Sequence, residues 1–195
     1  GFDDVVEVSK GAELISSATR IMLENGELKK PVISSACPAA VRLIRTRFPN
    51  LLQNLLPTCA PIDVAAMLAR KRAVEKTGYK DEEIGVFFIS PCPAKRTAIQ
   101  NPLCHENYGI NGAIAIKDIY PVLVHTMDKL KPEEIEQVND SGIIGVGWAS
   151  SGGEAAGILK ERYLAADGVE NIINVLEELE DEKLNDLDFI ELNCC

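Results

Sequence analysis

Val32–Arg42 reads VISSACPAAVR, and Phe87–Arg96 reads FFISPCPAKR. Each is an apolar run, a small residue, Cys-Pro-Ala, and then a segment with a basic residue. A short apolar run fits a strand. A proline at the first helical position loses nothing, because its missing N–H would be unpaired there. The spacing therefore predicts strand, turn and helix twice, with Cys37 and Cys92 at the helix N-caps. The alternation continues outward. Strands are expected at Val5–Val8, Pro31–Ser35, Ile84–Ser90, Ile143–Trp148 and Phe189–Leu192. Helices are expected at Ala12–Asn25, Pro38–Arg47, Pro61–Thr77, Ile119–Leu130, Glu154–Ala165 and Val169–Glu182. Ile84–Ser90 (IGVFFIS) is apolar almost throughout, as a strand buried on both faces would be. Pro121 should fall in the first turn of its helix, the one place a helix tolerates it. This pattern gives an α/β fold, two lobes with mainly parallel sheets flanked by helices. The strand pattern sets lobe one at about 29–110 and lobe two at about 1–28 plus 111–195.

A third segment, Phe189–Cys195 (FIELNCC), also runs from an apolar strand into cysteine. In parallel α/β sheets, sites form beyond the C-terminal strand ends. A helix N-terminus also favours a thiolate, the metal-binding form. Three such ends could place three thiolates on one rim. Thiolates gathered from distant sequence suit a soft metal or an iron–sulfur cluster. The competing reading is that each is a small buried residue, as free cysteine often is. Cys59 and Cys104 share no such context and are read as structural.

The 195 residues are 46% apolar and 26% charged, which is globular composition with room for a sizeable core. No apolar run approaches the roughly 20 residues of a membrane span, and no signal-peptide pattern opens the chain. A reducing cytoplasm is the expectation, where cysteines do metal or redox work rather than form bridges. The net charge of −10 argues against nucleic-acid and anionic-membrane partners. Most of that charge lies in Glu177–Asp188, read as a solvated surface.

At these residues the chain resembles the catalytic domain of [FeFe]-hydrogenases. That family carries three signatures, roughly TSCCPxW, MPCxxKxxE and ExMACxxGCxxGG. Here they read Ser34–Ala40 (SSACPAA), Ser90–Ala98 (SPCPAKRTA) and Glu191–Cys195 (ELNCC). Gly1–Leu14 is similar to the family's GFDxVFDxxxGADL stretch. Phe48–Leu52 (FPNLL) and Pro61 follow the first signature, and Trp148–Gly153 (WASSGG) resembles its FGATGG loop.

The resemblance implies an iron hydrogenase-like fold and reversible H₂ ⇌ 2H⁺ + 2e⁻ chemistry. Its cofactor is a [4Fe–4S] cluster joined to a diiron unit with CO, CN⁻ and dithiolate ligands. It implies Cys37, Cys92 and Cys195 as metal ligands. Cys195 is preferred to Cys194 because it lies four residues after Glu191. Lys95 would donate hydrogen bonds to a cyanide, and Ser90, Pro61, Ser151 and Gly152 would border the cofactor. The implied partners are H₂, protons, and a ferredoxin-like electron carrier or fused iron–sulfur or PAS modules. The family's fourth ligand lies four residues beyond Cys195. The chain also opens on Gly1. It is therefore expected to be an excised piece, cofactor-free and inactive by itself.

The chain departs from the catalytic pattern where protons move. Ala36 replaces the proton-relay cysteine, and Leu56 stands at the relay serine. The helix after Leu14 starts Ile15-Ser16-Ser17-Ala18-Thr19-Arg20, without a carboxylate. Ala40, Ser90 and Ala98 replace three further signature residues. A positioned acid or base contributes typically ~10²–10⁴-fold, so its loss slows turnover sharply. The resemblance is thus to the sensory-type branch, a low-turnover hydrogen or redox sensor. Two alternatives stay open: a hydrogenase-like protein for cluster assembly, and an apo interaction domain. Elsewhere, Ser141–Gly157 fits neither GxGxxG nor a P-loop. His125, Met22 and Met67 are read as packed. Arg70-Lys71-Arg72 is read as a solvated face or a dock for an acidic carrier.

Overall fold

The computed structural model describes residues 1–103, 109–134 and 141–195. Cys104 and His105 lie outside the described residues. Helix α1 (Val8–Glu24) precedes strand β1 (Val32–Ile33), α2 (Pro38–Arg47) and α3 (Pro61–Thr77). Strand β2 (Phe87–Ser90) leads into α4 (Pro93–Gln100), and β3 (Gly112–Ala115) into α5 (Ile116–Met127). Then come α6 (Ile143–Gly147), α7 (Gly153–Gly157), β4 (Tyr163–Asp167), α8 (Val169–Glu180) and β5 (Phe189–Asn193). The sheets are β1-β5-β4 and β2-β3, with every pairing parallel. This is the α/β architecture the alternation predicts.

The chain divides into a larger unit, 7–65 with 141–195, and a smaller one, 1–6 with 66–140. These limits differ from those read off the strands. Residues 29–65 go with the larger unit, and 111–140 with the smaller.

In the larger unit β5 is the central strand, and its side chains alternate between two cores. Ile190 and Leu192 join Ile33, Ile44, Ile172 and Leu176 beneath α2 and α8. Phe189 joins Val32, Ile15, Ala155 and Ile158 on the opposite face, beneath α1 and α7. Each of the larger side chains contributes roughly 1.5–3 kcal/mol by leaving water. Cover on both faces explains why Phe189 and Ile190, on opposite sides of β5, are both fully buried.

Several expected elements differ here. Val5–Val8 is not a strand, because α1 already begins at Val8. Ile143–Trp148 is not a strand either, because α6 forms there with Ile143 91% exposed. Gly145 lets α6 lie directly on α1. A Cβ there would come within 2.2 Å of the Ser9 carbonyl oxygen. Glu154–Ala165 is not one helix, because α7 stops at Gly157 and Tyr163–Asp167 pairs with β5. The β-sheet partner overrides local helical character there.

The smaller unit has thinner cover. Phe87 is 49% exposed and Ile89 38%, so β2 is not buried on both faces. Helix α5 starts three residues earlier than expected and leaves Pro121 inside it. No α5 residue is buried, and Tyr120, Val122, Leu123 and Met127 face outward. His125 and Met67 are exposed rather than packed. Arg70 is not a solvated charge. It donates to the carbonyls of Asp81 (2.6 Å), Ile84 (3.0 Å) and Gly109, and to Asn111 Oδ1 (3.2 Å). Arg72 pairs with Asp4 at 3.3 Å.

Candidate functional site

The two Cys-Pro turns are near-copies. Cys37 caps α2 with φ −93° and ψ 107°, and Cys92 caps α4 with φ −90° and ψ 113°. In both, proline occupies the start of the helix and the cysteine side chain makes no capping bond. The thiols are therefore uncommitted to their helices. A buried serine closes each turn. Ala36 N–H donates to Ser34 Oγ at 3.1 Å, and Cys92 N–H donates to Ser90 Oγ at 3.1 Å. Short hydroxyl side chains favour such local bonds to backbone N–H groups over regular structure. One turn belongs to each unit.

At the C-terminal rim of the larger sheet, Cys37 and Cys194 both pack against the Ile33–Ile190 core. The period of two carries this through: Ile190, Leu192 and Cys194 share a face. Cys195 is exposed. Cys37, Cys92 and Cys195 are free thiols and Cys194 is outside any disulfide, whereas Cys59 is disulfide-bonded, a bridge not foreseen from the cysteine count. Among the described residues, no three His, Cys, Asp or Glu side chains are gathered as a metal site. The donor chemistry still fits an iron–sulfur cluster: free thiols, without caps to break, at strand ends.

Behind Cys37 lies a buried polar line that the sequence did not disclose. Ser34 Oγ donates to Glu154 Oε2 at 2.6 Å. Glu154 and the neighbouring Glu191 are only 4% and 3% exposed. Glu191 accepts from Gly152 N–H (3.1 Å), Ala155 N–H (2.9 Å) and Asn193 Nδ2 (2.9 Å). Among the described residues, Glu154 has only the serine. Burial pushes its carboxyl up to about 8; the Ser34 bond opposes this and the charge of Glu191 adds to it. Glu154 thus keeps a proton at neutral pH.

The remaining predicted residues fall as follows. Lys95 is half-buried in the first turn of α4 and makes no hydrogen bond or ion pair among the described residues. Ser90 is buried and holds Cys92 N–H. Pro61 opens α3 and is buried. Its carbonyl oxygen would lie 2.4 Å from a Cβ on Gly11. Ser151 is exposed and donates to Asp167. Gly152 has φ +77°, and its amide is committed to Glu191. Leu56 is core. In α1, Ser16 accepts from Trp148 Nε1 at 2.8 Å, and the buried Thr19 hydroxyl has no partner among the described residues.

Residues 1–195 match the family model described as iron only hydrogenase large subunit, C-terminal domain. The NADP-reducing hydrogenase subunit HndD of Solidesulfovibrio fructosivorans is 22% identical over 109 residues, 56% of this chain and 18% of the relative. The periplasmic [Fe] hydrogenase large subunit of Nitratidesulfovibrio vulgaris is 26% identical over 93 residues, 48% of this chain and 21% of the relative. The aligned stretches thus span about a fifth of these relatives. A structure of apo [FeFe]-hydrogenase HydA1 from Chlamydomonas reinhardtii superposes with a TM-score of 0.72 at 15% identity, covering 99% of this chain and 67% of that one. A HydA structure concerned with stepwise H-cluster assembly gives 0.70 at 16%, covering 100% and 68%. At these identities the structural likeness is one of fold. No helix among the described residues is long and apolar enough to cross a membrane. One relative is periplasmic by name, so membership sets no compartment. With the whole chain matched and its Cys-Pro turns in place, the protein belongs to the family formed by the C-terminal domain of iron-only hydrogenase large subunits.

Proposed function

We propose that this domain holds an iron–sulfur cluster of the hydrogenase type and serves a low-turnover, hydrogen- or redox-sensing role. The observation that carries this reading is the pair of matching N-cap cysteines, Cys37 and Cys92, with free thiols. Cys37, Cys92 and Cys195 would hold the cluster. When bound, it supplies electron transfer, and the attached diiron unit supplies hydrogen chemistry. Lys95 offers an ammonium with three donors to an anionic ligand. Ala36 supplies no proton, which supports slow turnover. The fused modules, the electron carrier and a cytoplasmic setting are part of the same proposal.

The test is iron and sulfide content with EPR after anaerobic reconstitution. The chain would be lengthened through one further cysteine at the family spacing, with the 195-residue chain as control. A stoichiometric cluster in the lengthened chain alone supports the reading. No cluster in either would overturn it and favour an apo interaction domain.

A further inference from the structure

The cluster reading makes no use of the buried carboxyl behind Cys37. We propose that Glu154 is a proton-carrying positioning residue that, through Ser34, makes the Ser34–Cys37 turn responsive to pH. A single hydroxyl joins the two ends of this link. Ser34 Oγ donates to Glu154 at 2.6 Å and accepts from Ala36 N–H at 3.1 Å. Ala36 directly precedes Cys37, so a change of charge on Glu154 reaches the turn through two hydrogen bonds. An ionised acceptor shortens and strengthens such bonds, and linked bonds polarise one another.

Neutralisation of Glu154 falls to the proton, because no cation pairs with it among the described residues. From β5 it faces the like charge of Glu191. Helix α1 presents Ser16 and Thr19, and Arg20, whose guanidinium goes to the Gly157 carbonyl (3.2 Å) and Ser17 Oγ (3.0 Å). Trp148, just past α6, is held by Ser16. Asp167 at the end of β4 is held by Ser151. Loss of the proton would leave two carboxylates in one buried site, an arrangement that drives rearrangement or water entry.

The molecule carries its own control. Ser90 likewise accepts from the N–H two residues on, here that of Cys92 itself, but among the described residues it makes no bond to a carboxylate. The bearing on a metal ligand rests on the proposed function, but the titration needs no iron.

The experiment is amide NMR of the iron-free chain across neutral to alkaline pH. A Cys37→Ser, Cys92→Ser background removes both turn thiols. The Ala36 amide should inflect near pH 8, where Glu154 titrates. The inflection should vanish in Glu154→Gln, and the N–H at position 92 should stay flat. Should the glutamine variant not fold, Ser34→Ala cuts the link instead: Ala36 should then stay flat while the Glu154 carboxyl, read directly by carbon NMR, still titrates. An Ala36 amide that ignores pH, or an inflection that survives either variant, overturns the proposal. Failure of cluster assembly would leave this result untouched, and failure here would leave the cluster reading untouched.

Discussion

The Ser34 hydroxyl donates to the Glu154 carboxyl at 2.6 Å across 120 residues of sequence, joining the end of β1 to the first turn of α7. The unfolded chain has no such burial, so its Glu154 ionises in the usual carboxylate range, near 4.5. Between that range and about 8 the folded state binds more protons than the unfolded one. Stability therefore falls as pH rises through this window, by at most about 1.4 kcal/mol per unit, and levels off above it. Glu154→Gln keeps an acceptor for Ser34 and removes the charge. Urea midpoints across this range should slope for the parent and run flatter for the variant, with the variant more stable at the alkaline end. Equal slopes would refute the assignment.

Asp188 behaves in the opposite sense. The Lys30 hydrogen bond at 2.7 Å and the Arg162 bonds at 3.1 and 3.2 Å hold its carboxyl below the usual range. The stabilisation is present above the ordinary carboxylate value and is lost as pH falls through the depressed one. Asp188→Asn should cost about 1–2 kcal/mol at neutral pH, since both cations are partly solvated. The deficit should shrink on acidification. A deficit independent of pH would point to packing instead.

Gly145→Ala should separate α6 from α1, because the added Cβ meets backbone at 2.2 Å. We expect a loss of about 2–3 kcal/mol by thermal unfolding. Gly147→Ala, with nothing within 4 Å of its Cβ, should be close to neutral. Similar effects from both would contradict the close approach.

Arg70 fastens the loop after α3 to the segment before β3. Lysine cannot reproduce that fork of donors. Arg70→Lys should therefore speed limited proteolysis between Gly78 and Val86, with little change in the larger unit. Unchanged cleavage would mean the loops hold without it.

Thiol labelling of the folded chain should modify the exposed Cys195 before the half-buried Cys37 and Cys194. Mass spectrometry of early time points checks the order. First labelling at Cys194 would mean that β5 ends in another register.

The Cys-Pro turns were legible because their cause is local. Proline fixes the helix start, and one residue before it becomes the cap. Helices α2 and α3 follow their predicted limits for the same reason. Ile143–Trp148 was not legible, because a short apolar run does not by itself tell a strand from a helical turn. Only contact with Ser9 distinguishes them. The residues Tyr163–Asp167 needed β5 to become a strand. Glu154 was invisible as a buried acid, because its partners Ser34 and Glu191 are set by the fold and not by spacing.

The place of β5 in the sheet has a consequence for synthesis on the ribosome. Val32 pairs with Phe189, and the central strand is translated after both of its neighbours. At about 5–20 residues per second, β1 waits on the order of ten seconds or more for its partner. During that interval the apolar faces of α1 and α2 are unpaired nascent chain. We expect ribosome-associated chaperones to occupy them, and slower translation of the second half to lengthen that occupancy.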